Sequence, residues 1–246
     1  MRVVVLGATK GIGRALARAM AARGDELFLL GRNLEDLQAS VADLTIRAPR
    51  SAHAGMALCD LEKPETFEPA LDAAEAGLGK LDLVVVTAAL FAAQERLEGD
   101  PALLHRLLSI DFTNTVLFCE HARKRLMARG GGTLCVFSSV AGERGRTPVV
   151  MYGAAKAGLT RYLEGLDHRF RSQGLVTVCV KPGFVRTSMT SGLPPPPFAG
   201  SPDRVARQVL YAIDRGVPVV YAPPIWSLIM FVVRLLPRSV MRRVRF

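Results

Sequence analysis

The sequence predicts an α/β protein of three layers, with helices on both faces of a doubly wound, mostly parallel sheet of seven strands. Short apolar runs rich in β-branched residues alternate with longer stretches of helical periodicity. Successive parallel strands need right-handed crossovers, which place helices on both faces of the sheet. The 246 residues, 50% of them hydrophobic, suit one domain of this Rossmann type.

The individual elements follow from this alternation. The seven predicted strands cover residues 2–6, 26–30, 51–57, 81–87, 132–138, 176–181 and 217–221. Predicted helices include residues 12–23, 34–48, 101–129 and 151–173. Each predicted strand is short and almost continuously apolar, as expected for strands that are buried on both faces.

Residues 187–202 interrupt the alternation after the sixth strand. Ser191, Gly192 and Leu193 are followed there by four consecutive prolines at positions 194–197. Consecutive prolines exclude a helix interior and a central strand, so we expect an exposed excursion. It is either a plain surface loop or a lid over a ligand, since ligands of such folds bind beyond the carboxyl ends of the strands.

The chain is expected to comprise a domain of residues 1–222 and a tail of residues 223–246. The tail is apolar up to Pro237 and then basic, and its apolar part is too short for a membrane span. A short apolar helix that carries Trp226 and precedes arginines suits a peripheral contact with acidic lipid headgroups. The alternative is a tail that docks on the domain or on a second subunit.

Charge and cysteine content narrow the classes of partner. The net charge is +10, and arginines crowd the end of the chain at Arg234, Arg238, Arg242, Arg243 and Arg245. This favours an anionic partner, but not nucleic acid, because no recognition module accompanies the arginines. The four cysteines are expected to be reduced core residues, and no metal site is expected. The first apolar run is too short for a signal sequence, which favours a cytoplasmic location.

A glycine-rich turn follows the first predicted strand and opens the first helix. It reads Gly7-Ala8-Thr9-Lys10-Gly11-Ile12-Gly13. Gly7 permits a tight turn, Gly11 lets a backbone approach a pyrophosphate, and Gly13 lets the helix pack closely on the strand. The free N–H groups and the dipole of that helix would receive the phosphates, so the turn favours a dinucleotide.

The residues at the end of the second strand indicate which of the two nicotinamide dinucleotides, NAD(H) or NADP(H), is preferred. A carboxylate there would bind the ribose 2′-hydroxyl of NAD(H), but the sequence reads Gly31-Arg32-Asn33. Arg32 can pair with a 2′-phosphate, and Lys10 adds positive charge nearby. The sequence therefore favours NADP(H) over NAD(H).

Tyr152 and Lys156 lie four positions apart, on one face of the predicted helix that starts near residue 151. Tyrosine is a poor acid or base at neutral pH unless an adjacent cation stabilises the phenolate and lowers its pKa. We therefore expect Lys156 to lower the pKa of Tyr152, and also to hold the nicotinamide ribose. Ser139 closes the fifth strand thirteen positions before Tyr152.

Over residues 2 to about 190 these ordered motifs resemble the short-chain dehydrogenase/reductase family, which often forms homo-oligomers. The family uses the same glycine spacing, the same distance from serine to tyrosine, and a Pro-Gly segment after the sixth strand. The resemblance implies that Ser139 hydrogen-bonds the substrate oxygen, Tyr152 transfers its proton and the nicotinamide exchanges a hydride. Further cofactor contacts implied are those of Asp60 at the adenine and of Pro182, Gly183, Val185 and Thr187 beside the nicotinamide.

The chain departs from the family at two places. Thr87-Ala88-Ala89 stands where the family usually has Asn-Ala-Gly, a difference that concerns a structural feature rather than the chemistry. Asp111 stands at the position of the family's catalytic asparagine. It could anchor Lys156 directly or through a water; an altered proton relay, or alignment with a neighbour such as Asn114, is equally open.

Within the family, residues 138–146, residues 182–189 and the tail around residues 236–239 look like the decaprenylphosphoryl-2-keto-ribose reductases. Those enzymes are the reductase half of a two-enzyme epimerase and work with a flavin oxidase on a polyprenyl-phosphate sugar. The resemblance implies a lipid-linked ketosugar that is reduced at C2, and a flavin oxidase partner. An apolar tail for the prenyl chain and arginines for the phosphate fit that substrate.

Two other functions stay open from the sequence. A ketoreductase for another amphipathic substrate, such as a 3-keto lipid or sterol, would not need a sugar phosphate. A non-catalytic dinucleotide-binding protein is supported by Asp111 and the missing Asn-Ala-Gly, and opposed by the intact Ser139, Tyr152 and Lys156.

Overall fold

The sheet of the computed structural model has seven parallel strands in the order β3-β2-β1-β4-β5-β6-β7. The strands are β1 (Arg2–Leu6), β2 (Glu26–Gly31), β3 (Ala54–Leu58), β4 (Leu83–Val86), β5 (Gly132–Phe137), β6 (Leu175–Pro182) and β7 (Val219–Ala222). The structure describes residues 1–48 and 54–243. The doubly wound order confirms the predicted fold, and all seven strands are parallel rather than most of them.

Helices cover both faces of this sheet. They are α1 (Gly11–Arg23), α2 (Leu34–Arg47), α3 (Phe67–Leu78), α4 (Gln94–Gly99), α5 (Pro101–Leu108), α6 (Asn114–Ala128), α7 (Val150–Phe170), α8 (Pro202–Asp214), α9 (Ile225–Leu235) and α10 (Arg238–Met241). The sheet therefore forms the middle of three layers.

Two apolar clusters, one on each face of the sheet, form the core. Side chains of a strand point alternately to opposite faces. In β1, Val4 and Leu6 accordingly join the cluster that contains Phe67 of α3 and Phe118 of α6. Val3 and Val5 join the other cluster, with residues of α1, α2 and α8. This double burial explains why the strands read as unbroken apolar runs.

Several predicted boundaries differ from the structure. Residues 51–53 of the predicted third strand lie outside the described residues, as does Arg245, and β3 continues one residue beyond the predicted end. β4 is shorter than predicted, and β7 begins and ends later than predicted. Differences of one or two residues are expected because strand and helix ends are weakly specified.

The predicted helix over residues 101–129 is confirmed as helical up to Ala128, but its middle is not α-helical. A π-helical segment, Ser109–Thr113, separates α5 from α6. The hydroxyl of Thr115 donates to the carbonyl oxygen of Ile110, five residues earlier, at 2.7 Å. Such a bulge inserts one residue without breaking the apolar periodicity, so the sequence pattern does not reveal it.

The tail docks on the domain through one face of α9. Trp226, Met230 and Val233 are buried against a cluster that includes Val140 and Phe184. At the end of the helix the guanidinium of Arg144 donates to the carbonyl oxygen of Leu236 at 2.7 Å. Of the helices that the structure describes, none is long and apolar enough to cross a membrane.

All four cysteines are free and buried, as the sequence predicts. Burial raises the pKa of the Cys59 thiol to about 12 and that of the Cys179 thiol to about 11. Thiols that stay protonated at neutral pH are poor nucleophiles and poor metal ligands. These cysteines are therefore packing residues.

Candidate active site

A cavity of about 540 Å³ opens at the carboxyl edge of the sheet. It is lined by the glycine turn after β1, the segments that follow β4, β5 and β6, the first turns of α7, the excursion, and Trp226 of α9. In a doubly wound sheet the carboxyl edge is where ligands bind. The glycine turn and the predicted catalytic residues thus share one site.

The glycine turn is shaped for close approach of a ligand. Gly7 and Gly11 have φ angles of 97° and 54°, in the left-handed region that favours glycine. A Cβ atom on Gly13 would lie 2.3 Å from the carbonyl oxygen of Gly7, so only glycine allows α1 to begin this close to β1. The turn and the N-terminus of α1 therefore fit the pyrophosphate of a dinucleotide.

Thr87 holds this turn in place and was missed by the sequence reasoning. Its hydroxyl lies 3.1 Å from the carbonyl oxygen of Leu6 and 3.0 Å from that of Gly7, and it donates to them. Thr87 occupies the position where the family usually has Asn-Ala-Gly. Despite this departure, a side-chain hydroxyl of this chain supports the turn.

Arg32, Lys10 and Asp60 lie around the glycine turn and the ends of β2 and β3. The Arg32 side chain is 65% exposed, and its guanidinium lies 3.5 Å from a carboxylate oxygen of Glu62. The Lys10 ammonium lies 3.2 Å from a carboxylate oxygen of Asp36. A carboxylate oxygen of Asp60 accepts the Glu62 N–H at 3.0 Å. Lys10 lines the central cavity, whereas Arg32 and Asp60 stand outside it.

Ser139 and Tyr152 meet in the cavity. Ser139 follows β5, and its hydroxyl oxygen accepts the Ala141 N–H at 3.1 Å. Tyr152 lies in the first turn of α7, is hydrogen-bonded to Ser139, and packs edge-on against Phe91 with ring centroids 5.2 Å apart. Both hydroxyl groups thus face the same space, where a carbonyl oxygen could contact both.

Lys156 lies one turn further along α7 and is fully buried beside Asp111. Its ammonium lies 3.8 Å from one carboxylate oxygen of Asp111 and donates to the carbonyl oxygen of Phe137 at 3.4 Å. The other oxygen of Asp111 accepts the Leu90 N–H at 2.7 Å. The π-helical segment thus presents Asp111 to Lys156, whereas the side-chain amide of Asn114 donates to the carbonyl oxygen of Leu61 at 2.6 Å.

The expectation that Lys156 lowers the pKa of Tyr152 is wrong for this structure. Burial raises the pKa of Tyr152 above its usual value, the charge of Asp111 raises it further, and the hydrogen bond with Ser139 lowers it. The Lys156 ammonium is 5.6 Å from the centre of the tyrosine ring and lies closer to Asp111. Tyr152 therefore keeps its proton at neutral pH.

Asp111→Asn is expected to shift the pH profile of reduction toward lower pH. The carboxylate raises the pKa of Tyr152, so its neutral replacement lowers that pKa. Reduction needs the protonated phenol, and the alkaline limb of kcat/KM should move to lower pH by about half a unit or more. Steady-state rates from neutral to alkaline pH measure this. An unchanged limb would show that Asp111 has no electrostatic effect on Tyr152.

The excursion is closed at its base and covers the cavity. The Gly200 N–H donates to the carbonyl oxygen of Phe184 at 2.9 Å, and the Arg186 N–H to that of Gly200 at 3.0 Å. From the loop between these points, Met189, Leu193 and Pro196 line the cavity. Of the two alternatives left open by the sequence, this placement favours the lid.

Gly183 and Trp226 join the tail to the cavity. A Cβ atom on Gly183 would lie 1.9 Å from Nε1 of Trp226, so the indole packs directly on the glycine backbone. The tail pattern predicts Trp226 at a membrane surface, but the side chain is turned inward. The other predicted residues of this segment, Pro182, Val185 and Thr187, also line the cavity.

Comparison with known proteins decides the family. A model described as short chain dehydrogenase matches residues 1–196. The Mycobacterium tuberculosis protein "Uncharacterized oxidoreductase Rv2073c" is 35% identical over 243 residues, which is 98% of this chain and 96% of that protein. The chain belongs to the short-chain dehydrogenase/reductase family. It is thus a nicotinamide-dependent oxidoreductase.

Other known proteins are similar to this chain in sequence or in fold. Carbonyl reductase family member 4 of Xenopus laevis is 29% identical over 85% of this chain and 89% of that protein. A short-chain type dehydrogenase/reductase from Mycobacterium ulcerans has a TM-score of 0.83 at 18% identity, covering 98% of this chain and 97% of that one. The actinorhodin polyketide ketoreductase, solved with NADPH, has a TM-score of 0.80 at 22% identity, covering 89% and 95%.

Proposed function

We propose that this short-chain dehydrogenase/reductase uses NADPH to reduce the carbonyl of a lipid-linked 2-ketosugar. The observation that carries the proposal is a single cavity that joins the glycine turn, the Ser139–Tyr152–Lys156 group and an apolar end. The glycine turn, in which any Cβ on Gly13 would collide with Gly7, fits a dinucleotide.

The residues of the cavity account for the proposed reduction. NADPH supplies the hydride that the carbonyl carbon accepts. The Ser139 hydroxyl orients the carbonyl oxygen, and Tyr152 donates its phenolic proton to that oxygen. Lys156, held beside Asp111, contacts the ribose of the nicotinamide nucleotide and so positions the nicotinamide beside Tyr152. The raised pKa of Tyr152 keeps the phenol protonated, the form from which it can donate a proton.

The preference for NADP(H) over NAD(H) rests on two side chains near the glycine turn. The exposed guanidinium of Arg32 has only a 3.5 Å contact with Glu62, and exchange of that contact for a 2′-phosphate costs little. Lys10 adds a second cation at the turn. The end of β2 carries no carboxylate that would favour the 2′-hydroxyl.

The lipid-linked substrate is supported by the apolar side chains at one end of the cavity. Met189, Leu193 and Pro196 of the excursion and Trp226 of α9 line the same cavity as Ser139 and Tyr152. A prenyl chain would contact this apolar wall, and the sugar would contact Ser139 and Tyr152. By the narrower sequence resemblance, a flavin oxidase supplies the ketosugar. The runner-up substrate is a long-chain 3-keto lipid.

We further propose that the outer face of α9 contacts a membrane. Exposed apolar residues follow one another at helical spacing: Ile225, Leu228, Phe231, Val232 and Leu235. Residues 222–246 contain arginines and no acidic residue, which favours acidic lipid over a second copy of the same tail. The proposed location is the cytoplasm, with peripheral contact to the inner face of the plasma membrane. Exposed Leu108 and Leu117 support a homo-oligomer through another face.

Replacing Leu228 and Phe231 by aspartate should lower binding to acidic vesicles at least about tenfold, because two apolar side chains no longer enter the lipid. Co-sedimentation with phosphatidylglycerol vesicles, compared with pure phosphatidylcholine, measures this. Ile46→Asp is the matched control, since Ile46 is exposed at the end of α2. Equal binding of the double variant and the control would refute the membrane contact.

The experiment that tests the substrate compares NADPH consumption with two ketones in detergent. One is a polyprenylphosphoryl 2-ketopentose and the other is a long-chain 3-keto lipid. Turnover of the sugar alone supports the proposed function. Turnover of the lipid alone refutes the sugar substrate and leaves the catalytic residues in their roles, and the absence of turnover with either ketone refutes both substrates.

A further inference from the structure

The charges that line the cavity are all of one sign. Of the charged side chains among the described lining residues, Lys10, Arg146 and Lys156 are cations, and none is a carboxylate. The remaining lining residues are apolar side chains, glycines and neutral hydroxyl groups. A largely apolar site whose lining charges are all cationic favours an anionic ligand, because water screens the electric field of these cations only weakly there.

Two of the three cations already have other roles. Lys10 belongs to the glycine turn and lies 3.2 Å from Asp36, at the phosphate end of the cofactor site. Lys156 is fixed in the core by Asp111 and by the carbonyl oxygen of Phe137. Neither explains a cation at the other end of the cavity, where the substrate binds.

Arg146 stands at that substrate end. It immediately precedes the short helical turn Thr147–Val149, which leads into α7 and Tyr152. Val149 and Tyr152 line the cavity with it, as do the excursion residues. The side chain is partly buried, and this burial lowers the pKa of its guanidinium by disfavouring the charged form.

We propose that Arg146 binds a phosphate group of the substrate, attached close to the carbon that accepts the hydride. The proposal rests on the proposed reductase function and narrows its substrate to phosphorylated carbonyl compounds. A guanidinium presents two parallel N–H donors to a phosphate, which gives orientation as well as affinity. Arg146 is thereby a specificity-determining residue for the reaction.

The phosphate is thus contacted by Arg146 and not by the arginines of the tail. The sequence suggests the tail arginines for this role, but the Arg234 guanidinium lies 3.3 Å from the carboxylate of Glu143. Glu143 is itself buried with the Lys181 ammonium at 2.5 Å and the Tyr221 hydroxyl at 3.0 Å. Arg238, Arg242 and Arg243 follow α9 at the exposed end of the chain and do not line the cavity.

Trp226 allows a test that needs no turnover. It is the only tryptophan of the chain and it lines the cavity, so its fluorescence reports a ligand bound there. The protein is saturated with NADP⁺, which occupies the phosphate sites of the cofactor, and is titrated with hexyl phosphate or with hexanol. The wild type should bind hexyl phosphate about tenfold to a hundredfold more tightly than hexanol.

Arg146→Met should remove this preference for the phosphate and leave the affinity for hexanol and NADP⁺ unchanged. Arg129→Met is the matched control, because Arg129 follows α6 at the opposite edge of the sheet; it should keep the preference. If the methionine variant folds poorly, Arg146→Lys takes its place in the test. This variant retains the charge but not the paired donors, so its preference for hexyl phosphate over hexanol should be reduced but not lost.

Three results would overturn the proposal. The first is a wild type that does not prefer hexyl phosphate to hexanol, and the second is a full preference for hexyl phosphate in both Arg146→Met and Arg146→Lys. The third is a weakened NADP⁺ affinity in these variants without a change in the preference for hexyl phosphate. The last result would place the guanidinium on the cofactor. An Arg146-dependent preference without turnover of any ketone would refute the proposed reduction and leave the phosphate site standing.

Discussion

Tyr152→Phe is expected to lower kcat for carbonyl reduction about 10² to 10⁴-fold, since the variant lacks the phenolic proton that the carbonyl oxygen accepts. Tyr152 is partly buried, lines the cavity and is hydrogen-bonded to Ser139, and its raised pKa keeps the proton available at neutral pH. The phenylalanine ring still packs against Phe91, so the fold and the Kd for NADPH should change little.

Tyr162→Phe is the matched control, because it removes the same atom from the same helix. The Tyr162 hydroxyl donates to Glu120 at 2.7 Å, outside the cavity. This variant should lose about 1 kcal/mol of stability and keep its turnover. Steady-state kinetics and cofactor binding measure both variants. Turnover of Tyr152→Phe close to that of Tyr162→Phe would refute the role of Tyr152 as the proton donor.

Arg32→Asp is expected to lower the ratio of kcat/KM for NADPH to that for NADH about a hundredfold or more. The substitution removes a cation that can pair with the 2′-phosphate and adds a carboxylate that repels it and can accept the 2′-hydroxyl. Two charge changes of about 1.4 kcal/mol each account for that factor. The guanidinium is exposed and only weakly paired, so folding should be little affected.

Arg32→Met separates the two parts of this effect. It removes the cation without adding an acceptor, so it should lose part of the NADPH preference without improving turnover with NADH. Initial rates with both cofactors at several concentrations measure the ratio. An unchanged ratio in both variants would show that the 2′-phosphate is recognised elsewhere, and Lys10 at the glycine turn would be the next residue to replace.

The sequence predicts the sheet and the catalytic segment well for physical reasons. Burial on both faces makes each central strand an apolar run, and the crossovers then determine the parallel arrangement. Gly7 and Gly13 make close contacts that a Cβ would prevent, and Gly11 has a positive φ angle that favours glycine. These features depend on local residue types, which a single sequence displays.

Other features depend on contacts between distant segments, and the sequence does not display them. The π-helical segment that presents Asp111 to Lys156 leaves the apolar periodicity intact. The inward position of Trp226 depends on Gly183, more than forty residues earlier in the chain. The raised pKa of Tyr152 results from burial, which residue spacing alone cannot reveal.

The central claim is a hydride transfer from NADPH to a carbonyl carbon with a proton from Tyr152. The most direct measurement uses NADPH deuterated at C4 of the nicotinamide, the polyprenylphosphoryl 2-ketopentose as substrate, and mass spectrometry of the alcohol formed. We expect one deuterium on the new carbinol carbon with the wild type, and a rate of labelling about 10² to 10⁴-fold lower with Tyr152→Phe. An unlabelled alcohol, or equal labelling by the two proteins, would contradict the claim.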